Sequence, residues 1–246
     1  MSWEGRRSSC AALSLHPLRL RYAGTLVPPE LLGASGRHHV ALTFDDGPDT
    51  ASTPYLLDVL TNLGVRATFF LLGAHVSAAG GLVREMRDAG HELAVHGWTH
   101  RAAPLMSADR LADDLARSRD LVEETTGAPV RWYRPPYGAL APQAFRAAEQ
   151  AGLQPVLWTA WGRDWERRAT PARVHRTLGR TLAPGGTVLL HDSDRTAAPG
   201  SWRTTLAAIP LLARSTPAPL GPLADHGLAP AGTSTDQVAG RSDWSG

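Results

Sequence analysis

Between residues 38 and 228 one pattern repeats: a short apolar run, then a longer amphipathic stretch. The apolar runs are HVALTF, ATFFLL, ELAVH, VRWY, PVLWT and TVLLH. Continuous rather than alternating hydrophobicity marks strands buried on both faces. The stretches between them carry helix punctuation. TPYLLDVLTNLG closes on Gly64, GLVREMRDAG on Gly90, and SADRLADDLARSRDLVEETTG runs from a Ser107 cap to Gly127. PQAFRAAEQAG follows, and then TPARVHRTLGRTL, with Thr170 as cap and Pro171 at the first helical position. Strands alternating with helices of this length make βα units and a parallel α/β sheet. No Gly-rich phosphate loop follows the first run, so a closed or nearly closed barrel fits at least as well as an open doubly wound sheet.

Flanking segments differ in texture. Residues 1–37 read as an N-terminal arm, 38–228 as a single domain, and 229–246, ending APAGTSTDQVAGRSDWSG, as a flexible C-terminal tail. A hydrophobic share of 43% is enough for a substantial core. The net charge of +2 argues against duplex nucleic acid as a partner. All 25 basic residues other than histidine are arginine. The single cysteine, Cys10, rules out an internal disulfide and a thiolate metal cluster. No stretch is long and apolar enough to span a bilayer. The first residues, MSWEGRRSSCAALSLHPLRLRYAG, make a poor secretory signal because His16, Pro17 and Arg19 break the apolar part. A cytoplasmic location is the default expectation, with a secreted or surface location following if the start site is misassigned.

The polar residues fall in a telling place. VALTF runs into Asp45 and Asp46, ELAV into His96 with His100 four residues on, and VRWY into Arg134. Asp164 and Trp165 lie past PVLWT, and His191 ends TVLL. The carboxyl edge of a parallel sheet is where α/β proteins build sites. Each residue alone has an ordinary explanation: a surface turn for the two acids, a salt bridge for Arg134, a core histidine for His191. Five strands delivering chemistry to one edge make those explanations improbable together. His38, His39, His75, His91, His175 and His226 keep the structural explanation, with His75 the one serious outsider.

Adjacent carboxylates repel and call for solvent or a cation. His96 and His100, spaced i and i+4, can aim both imidazoles at one point. A carboxylate from the Asp45–Asp46 pair completes a two-nitrogen, one-oxygen set of the kind that holds hydrolytic zinc with a position open for water. One aspartate would bind metal while its neighbour acts as base.

TFDDGP, HGWTH, RPPYG, GRDW and LLH, in that order, resemble the five motifs of the polysaccharide deacetylases, the NodB-homology domain of carbohydrate esterase family 4. The resemblance covers roughly residues 38 to 195. It implies a distorted (β/α) barrel of about seven parallel strands and a divalent metal, zinc or cobalt. It implies an activity that removes N- or O-acetyl groups from sugars such as chitin oligomers, peptidoglycan or acetylxylan, so the partner is an N-acetylated glycan. Carried onto this chain, Asp45 is the general base, held by Arg134, and Asp46, His96 and His100 bind the metal. The backbone N–H of Tyr137 joins the metal at the oxyanion. His191 is the general acid, oriented by Asp164, and Leu189 and Trp165 line the pocket for the acetyl methyl.

Two positions depart from the family pattern. Gly97 stands where Ser or Thr is usual, which bears on the rigidity of the metal loop, and Trp161 stands where an additional Asp is usual. With Trp98, Trp158 and Trp165 near it in sequence, Trp161 suggests an unusually aromatic cleft. Alternatives to deacetylation of a glycan are hydrolysis of a small non-glycan amide and, from another class, an inactive domain that binds carbohydrate through its tryptophans.

Overall fold

The computed structural model describes residues 21–22, 25–26, 28–216 and 218–228; the expected tail at 229–246 and most of the expected arm lie outside them. Arg21–Tyr22 and Thr25–Leu26 pair as a minimal antiparallel hairpin. The main sheet then unfolds in chain order: β1 Val40–Asp45, α1 Thr53–Leu63, β2 Thr68–Leu71, α2 Gly80–Asp88, β3 Glu92–Val95, α3 Ala108–Thr126 and β4 Trp132–Tyr133. It continues through α4 Pro142–Gln150, β5 Gln154–Pro155, β6 Ala160–Trp161, α5 Pro171–Leu178, β7 Thr187–His191, α6 Ser201–Ser215 and β8 Leu220–Gly221. The strand order is β5-β4-β3-β2-β1-β7-β6, every pairing is parallel, and β8 pairs with the start of β1. The result is the expected α/β architecture, seven parallel strands curled into a half-barrel with helices outside.

Helix ends follow the expected chemistry. Ser107 Oγ accepts the Arg110 N–H and Thr170 Oγ1 accepts the Arg173 N–H, each at an N-cap. α1 and α3 close on Gly64 and Gly127 in the left-handed conformation. α6 is a helix that punctuation hides, because it carries Pro210 in its interior.

One expected strand is corrected. PVLWT is not a strand; the chain pairs at Gln154–Pro155, leaves the sheet over 156–159, and pairs again at Ala160–Trp161. These two short strands are the free edges of the half-barrel, and residues 156–159 bridge the seam between them. Val156 N–H bonds back to Tyr133 and Thr159 N–H reaches Thr187 on β7. The turn at Glu30–Leu32 packs on the seam from outside: Leu32 is buried, Leu157 N–H donates to Leu31 O at 2.7 Å, and Thr187 Oγ1 donates to Gly33 O at 2.8 Å.

Alternation along the strands explains both core and site. Outward residues such as Leu42, Phe44, Phe69, Leu71, Val188 and Leu190 are buried against the helices. Each side chain of that size contributes about 1.5–3 kcal/mol on burial. Ala41, Phe70, Ala94, Trp132, Val156 and Leu223 form a separate cluster that fills the barrel floor. The base is closed by the C-terminal segment: Leu223 N–H donates to Thr68 Oγ1 and Ala224 N–H to Glu92 Oε2. Two residues beyond Trp132 comes Arg134, two beyond Ala94 comes His96, and four beyond Ala41 comes Asp45. The period of two that builds the floor therefore turns these groups into the mouth. Among the described residues, no helix is long and apolar enough to cross a membrane.

Candidate active site

At the carboxyl edge of β1 the backbone turns sharply, with Asp46 at φ 83, a conformation that aspartate tolerates better than most residues. Behind it, Gly47 leaves room for the buried Asp192, whose Oδ2 lies 2.1 Å from where a Cβ on residue 47 would sit. Asp192 Oδ2 accepts the Thr53 hydroxyl at 2.5 Å, and burial pushes this carboxyl up to about 7. The loop that aims the two acids is thus tied to the ends of β7 and α1.

Asp46 Oδ1 lies 3.4 Å from His96 Nε2 and 3.4 Å from His100 Nε2. One ligand atom from each of the three groups falls within 4.8 Å of the others. Asp46 Oδ1 is buried and has no hydrogen-bond partner in the protein. A buried carboxylate oxygen left without a donor is costly, and a cation would remove that cost. His96 donates from Nδ1 to the Arg134 carbonyl at 2.8 Å, which leaves the Nε2 lone pair free for a ligand bond. Burial, then the neighbouring His96, pushes His100 down to about 4, so that imidazole is neutral at physiological pH. Burial opposes ionisation of Asp46, yet His96, His191 and His100 outweigh it and hold the carboxyl well below the usual range. A neutral His100 and an ionised Asp46 are the states in which those two groups can bind a divalent cation.

Asp45 is anchored by Arg134, whose Nη1 donates to Asp45 Oδ1 at 2.7 Å and to Thr43 Oγ1 at 2.7 Å. The other arm of this fully buried guanidinium donates to Leu157 O at 2.8 Å, and its Cζ lies 3.9 Å from the Phe70 ring centroid. The forked, permanently charged group fits a site with an acid on one side and an aromatic floor below. His191 sits beside Asp164, Nδ1 to Oδ1 at 3.0 Å. Burial alone would depress its pKa; the charge and hydrogen bond of Asp164, with help from Asp46 and Asp45, outweigh that and raise it to about 9.

The two acids and the three histidines meet in one cavity of about 230 Å³. Asp45, Asp46, His96, His100, Tyr137, Trp165, Leu189 and His191 line it directly. Arg134 and Asp164 are buried behind it. Tyr137, at φ 62 and 71% exposed, stands edge-on to His100 with ring centroids 4.4 Å apart. His91 lies at the other end of its strand, accepting the Ala67 N–H, and His75 does not line the cavity. The Gly97 departure has a backbone reason: its φ is 103. Without a side-chain hydroxyl, the loop is pinned by Gly73 N–H on Gly97 O and Ala74 N–H on Trp98 O, while Arg117 stacks 3.5 Å from the Trp98 ring centroid.

Sequence reasoning did not single out three threonines. Thr196 Oγ1 donates to Asp46 Oδ2, Thr205 Oγ1 to Asp164 Oδ2 at 2.6 Å, and Thr43 Oγ1 to Val188 O at 2.6 Å while accepting from Arg134. Thr43 had a signal, as an inward polar residue within an apolar strand. Thr196 and Thr205 had none, since their partners lie 150 and 41 residues away.

A parallel half-barrel carrying one carboxylate and two imidazoles at the carboxyl edge of its strands, with a paired Asp–Arg and a paired His–Asp alongside, defines the class as an α/β protein with a candidate metal site. The family model described as polysaccharide deacetylase matches residues 33–156, and the chain belongs to that family. Enzymes of this family are metal-dependent, and Asp46, His96 and His100 form a possible site for the ion. The chain is 35% identical over 181 residues to the peptidoglycan-N-acetylglucosamine deacetylase PgdA of Listeria monocytogenes, covering 74% of this chain and 38% of that protein. It therefore spans about two fifths of the length of that relative. A chitooligosaccharide deacetylase of Bradyrhizobium sp. is 39% identical over 159 residues, covering 64% of this chain and 72% of its own. The crystal structure of the Bc1960 peptidoglycan N-acetylglucosamine deacetylase superposes with a TM-score of 0.70 at 26% identity, covering 80% of this chain and 91% of that one.

Proposed function

We propose that this chain is a metal-dependent hydrolase that removes N-acetyl groups from an amino sugar or glycan, such as a chitin oligomer or peptidoglycan. The observation that carries the reading is the convergence of a carboxylate held by arginine, an imidazole held by carboxylate, and a three-ligand cluster on one cavity. A divalent ion, zinc or cobalt, held by Asp46, His96 and His100 would supply a Lewis acid for the acetyl carbonyl and its attacking water. Asp45, pinned by Arg134, would act as the general base that takes a proton from the attacking water. The backbone N–H of Tyr137 offers a fixed donor to the developing oxyanion. An amine leaves only when protonated, and His191, kept cationic through neutral pH by Asp164, holds the proton it needs. Leu189 and Trp165 line the apolar part of the cavity, which suits a methyl group.

A cavity of about 230 Å³ is of a size to take an acetamido group with its own sugar residue, so the rest of a glycan must lie across the mouth. The same small volume supports a second reading, hydrolysis of a small non-glycan amide. Turnover of N-acetylglucosamine oligomers by metal-loaded protein, set against a panel of small acyl amides and against chelated protein, tests both. Glycan turnover that chelator abolishes supports the proposal. Turnover of small amides alone selects the second reading, and glycan binding without any turnover marks an inactive carbohydrate-binding domain.

A further inference from the structure

Trp161 is the last residue of β6 and an unusually exposed one for its size, at 43%. It does not stand alone: with Trp158 and Trp165 it makes a contiguous aromatic patch in the cavity wall, and such patches mark binding surfaces. Its position is set firmly. Its backbone pairs in register with Leu189 of β7, and the next residue, Gly162, is pressed between Val174 and Leu190. Trp158 backs it from the seam, with ring centroids 6.1 Å apart and planes 29° apart. From Trp161 the aromatic wall continues inward to Trp165, 5.5 Å on, and from there to His191, a further 5.3 Å.

Contrast Trp98, near the same cavity in sequence: Arg117 covers its face at 3.5 Å, which accounts for it structurally. The nearest cation to Trp161 is Arg163, 5.9 Å from the ring centroid and drawn away to Glu166 Oε1 at 2.6 Å. At that range the cation–aromatic attraction is at its outer limit and the ring face stays open.

We infer that Trp161, backed by Trp158, is a stacking platform for a pyranose ring of the substrate, and so a specificity-determining residue. This rests on the glycan reading above. The group that leaves must lie beside His191 to be protonated, and the wall leading away from His191 is aromatic. A pyranose presents C–H groups on its ring faces and hydroxyls around its rim. It can therefore cover a flat indole while keeping its hydroxyls in water. Trp161 and Trp158 stand in the wall of the cavity, so a sugar ring attached to an acetamido group bound there would draw binding energy for the reaction from them.

The test separates binding from turnover. Titration calorimetry would follow N-acetylglucosamine oligomers binding to metal-loaded Asp45→Asn protein, in which turnover is disabled, and to the same protein carrying Trp161→Ala or Trp161→Phe. The expected result is about a tenfold loss of affinity for Ala, with Phe within about twofold of the parent because the flat ring remains. Unchanged affinity in the Ala variant overturns the platform, as does Trp161-dependent binding of an acylated aniline with none of the sugar. Wild-type glycan turnover with Trp161-independent binding overturns the platform and leaves the proposed function standing. Trp161-dependent glycan binding without wild-type turnover does the reverse.

Discussion

The carboxylate of Asp164 holds His191 at two points: Oδ1 is 3.0 Å from the ring Nδ1, and Oδ2 accepts the His191 backbone N–H at 2.8 Å. Thr205 donates to the same Oδ2. The buried carboxylate thus fixes both the orientation of the imidazole and its charge, which is why the pKa stands at about 9 rather than below its unfolded value near 6.5.

Asp164→Asn removes the charge and keeps the shape. The alkaline limb of kcat/KM should move to lower pH in the variant, because the largest influence raising the His191 pKa is gone, and turnover at pH 7.5 should fall by about 10²-fold or more. Stability should respond with a defined sign. A histidine with a raised folded pKa stabilises fully below pH 6.5, and that contribution is lost as pH rises through about 9. The variant should therefore lose on the order of 2–3 kcal/mol at pH 6, with the pH-dependent part of the gap gone above pH 9. Urea titrations at the two pH values check it; an equal gap at both would show that His191 is not charged by its neighbour.

Arg134 joins three parts of the barrel: Thr43 and Asp45 on β1, Leu157 in the seam and Phe70 beneath. Removing one member of a buried ion pair strands the other, at a cost of about 3–5 kcal/mol. Arg134→Ala should be destabilised by that amount and lack activity. Arg134→Lys should fold better yet stay impaired, because an ammonium cannot span Asp45 and the Leu157 carbonyl with one planar fork. Denaturant midpoints and kcat for both variants test this, and a fully active Lys variant would show that charge alone is required.

How much of this was legible in the chain depends on locality. Val40–Asp45 reads directly, because an apolar run ending in two acids states both strand and site, and the strand period carries His96, Arg134 and His191 to the same mouth. The seam did not read. Val156 and Leu157 look like strand residues, yet they cross between two free sheet edges and take their hydrogen bonds from β4 and from Leu31. α6 stayed hidden behind Pro210, whose missing N–H is tolerated in a helix packed on α1 and α5. Thr205 was lost with it. Hydroxyls that support a site from a distant loop have no pattern of their own, because threonine is common and only the folded chain supplies the partner.

Thr196 is the clearest such case. Its hydroxyl donates to Asp46 Oδ2, the oxygen that does not face the imidazoles, and so holds the carboxylate plane in place. Partners of this kind typically affect metal affinity by about 10–100-fold. Thr196→Val should weaken metal binding within that range while leaving the far-ultraviolet circular dichroism unchanged, and Thr196→Ser should retain affinity. Competition with a chromophoric chelator measures it; equal affinity for Val and wild type would remove the hydroxyl from the site's support.

The metal cluster itself predicts a thermodynamic signature independent of any substrate. Asp46, His96 and His100 converge only in the folded chain, so an ion that binds them stabilises the fold by mass action, about 2.7 kcal/mol at a concentration one hundred times Kd. Thermal unfolding of chelated protein should therefore shift upward on adding zinc or cobalt, by an amount that grows with the logarithm of concentration. Carboxylate and imidazole ligands must be deprotonated, so the shift should shrink on acidification as protons compete for the imidazoles. His96→Ala should abolish the concentration dependence and leave the purified protein without stoichiometric metal by elemental analysis. His91→Ala, at the opposite end of the same strand, should keep both. If His96→Ala retained one bound ion and the same shift, the ion would be held elsewhere, and the orphaned Asp46 Oδ1 would need another explanation.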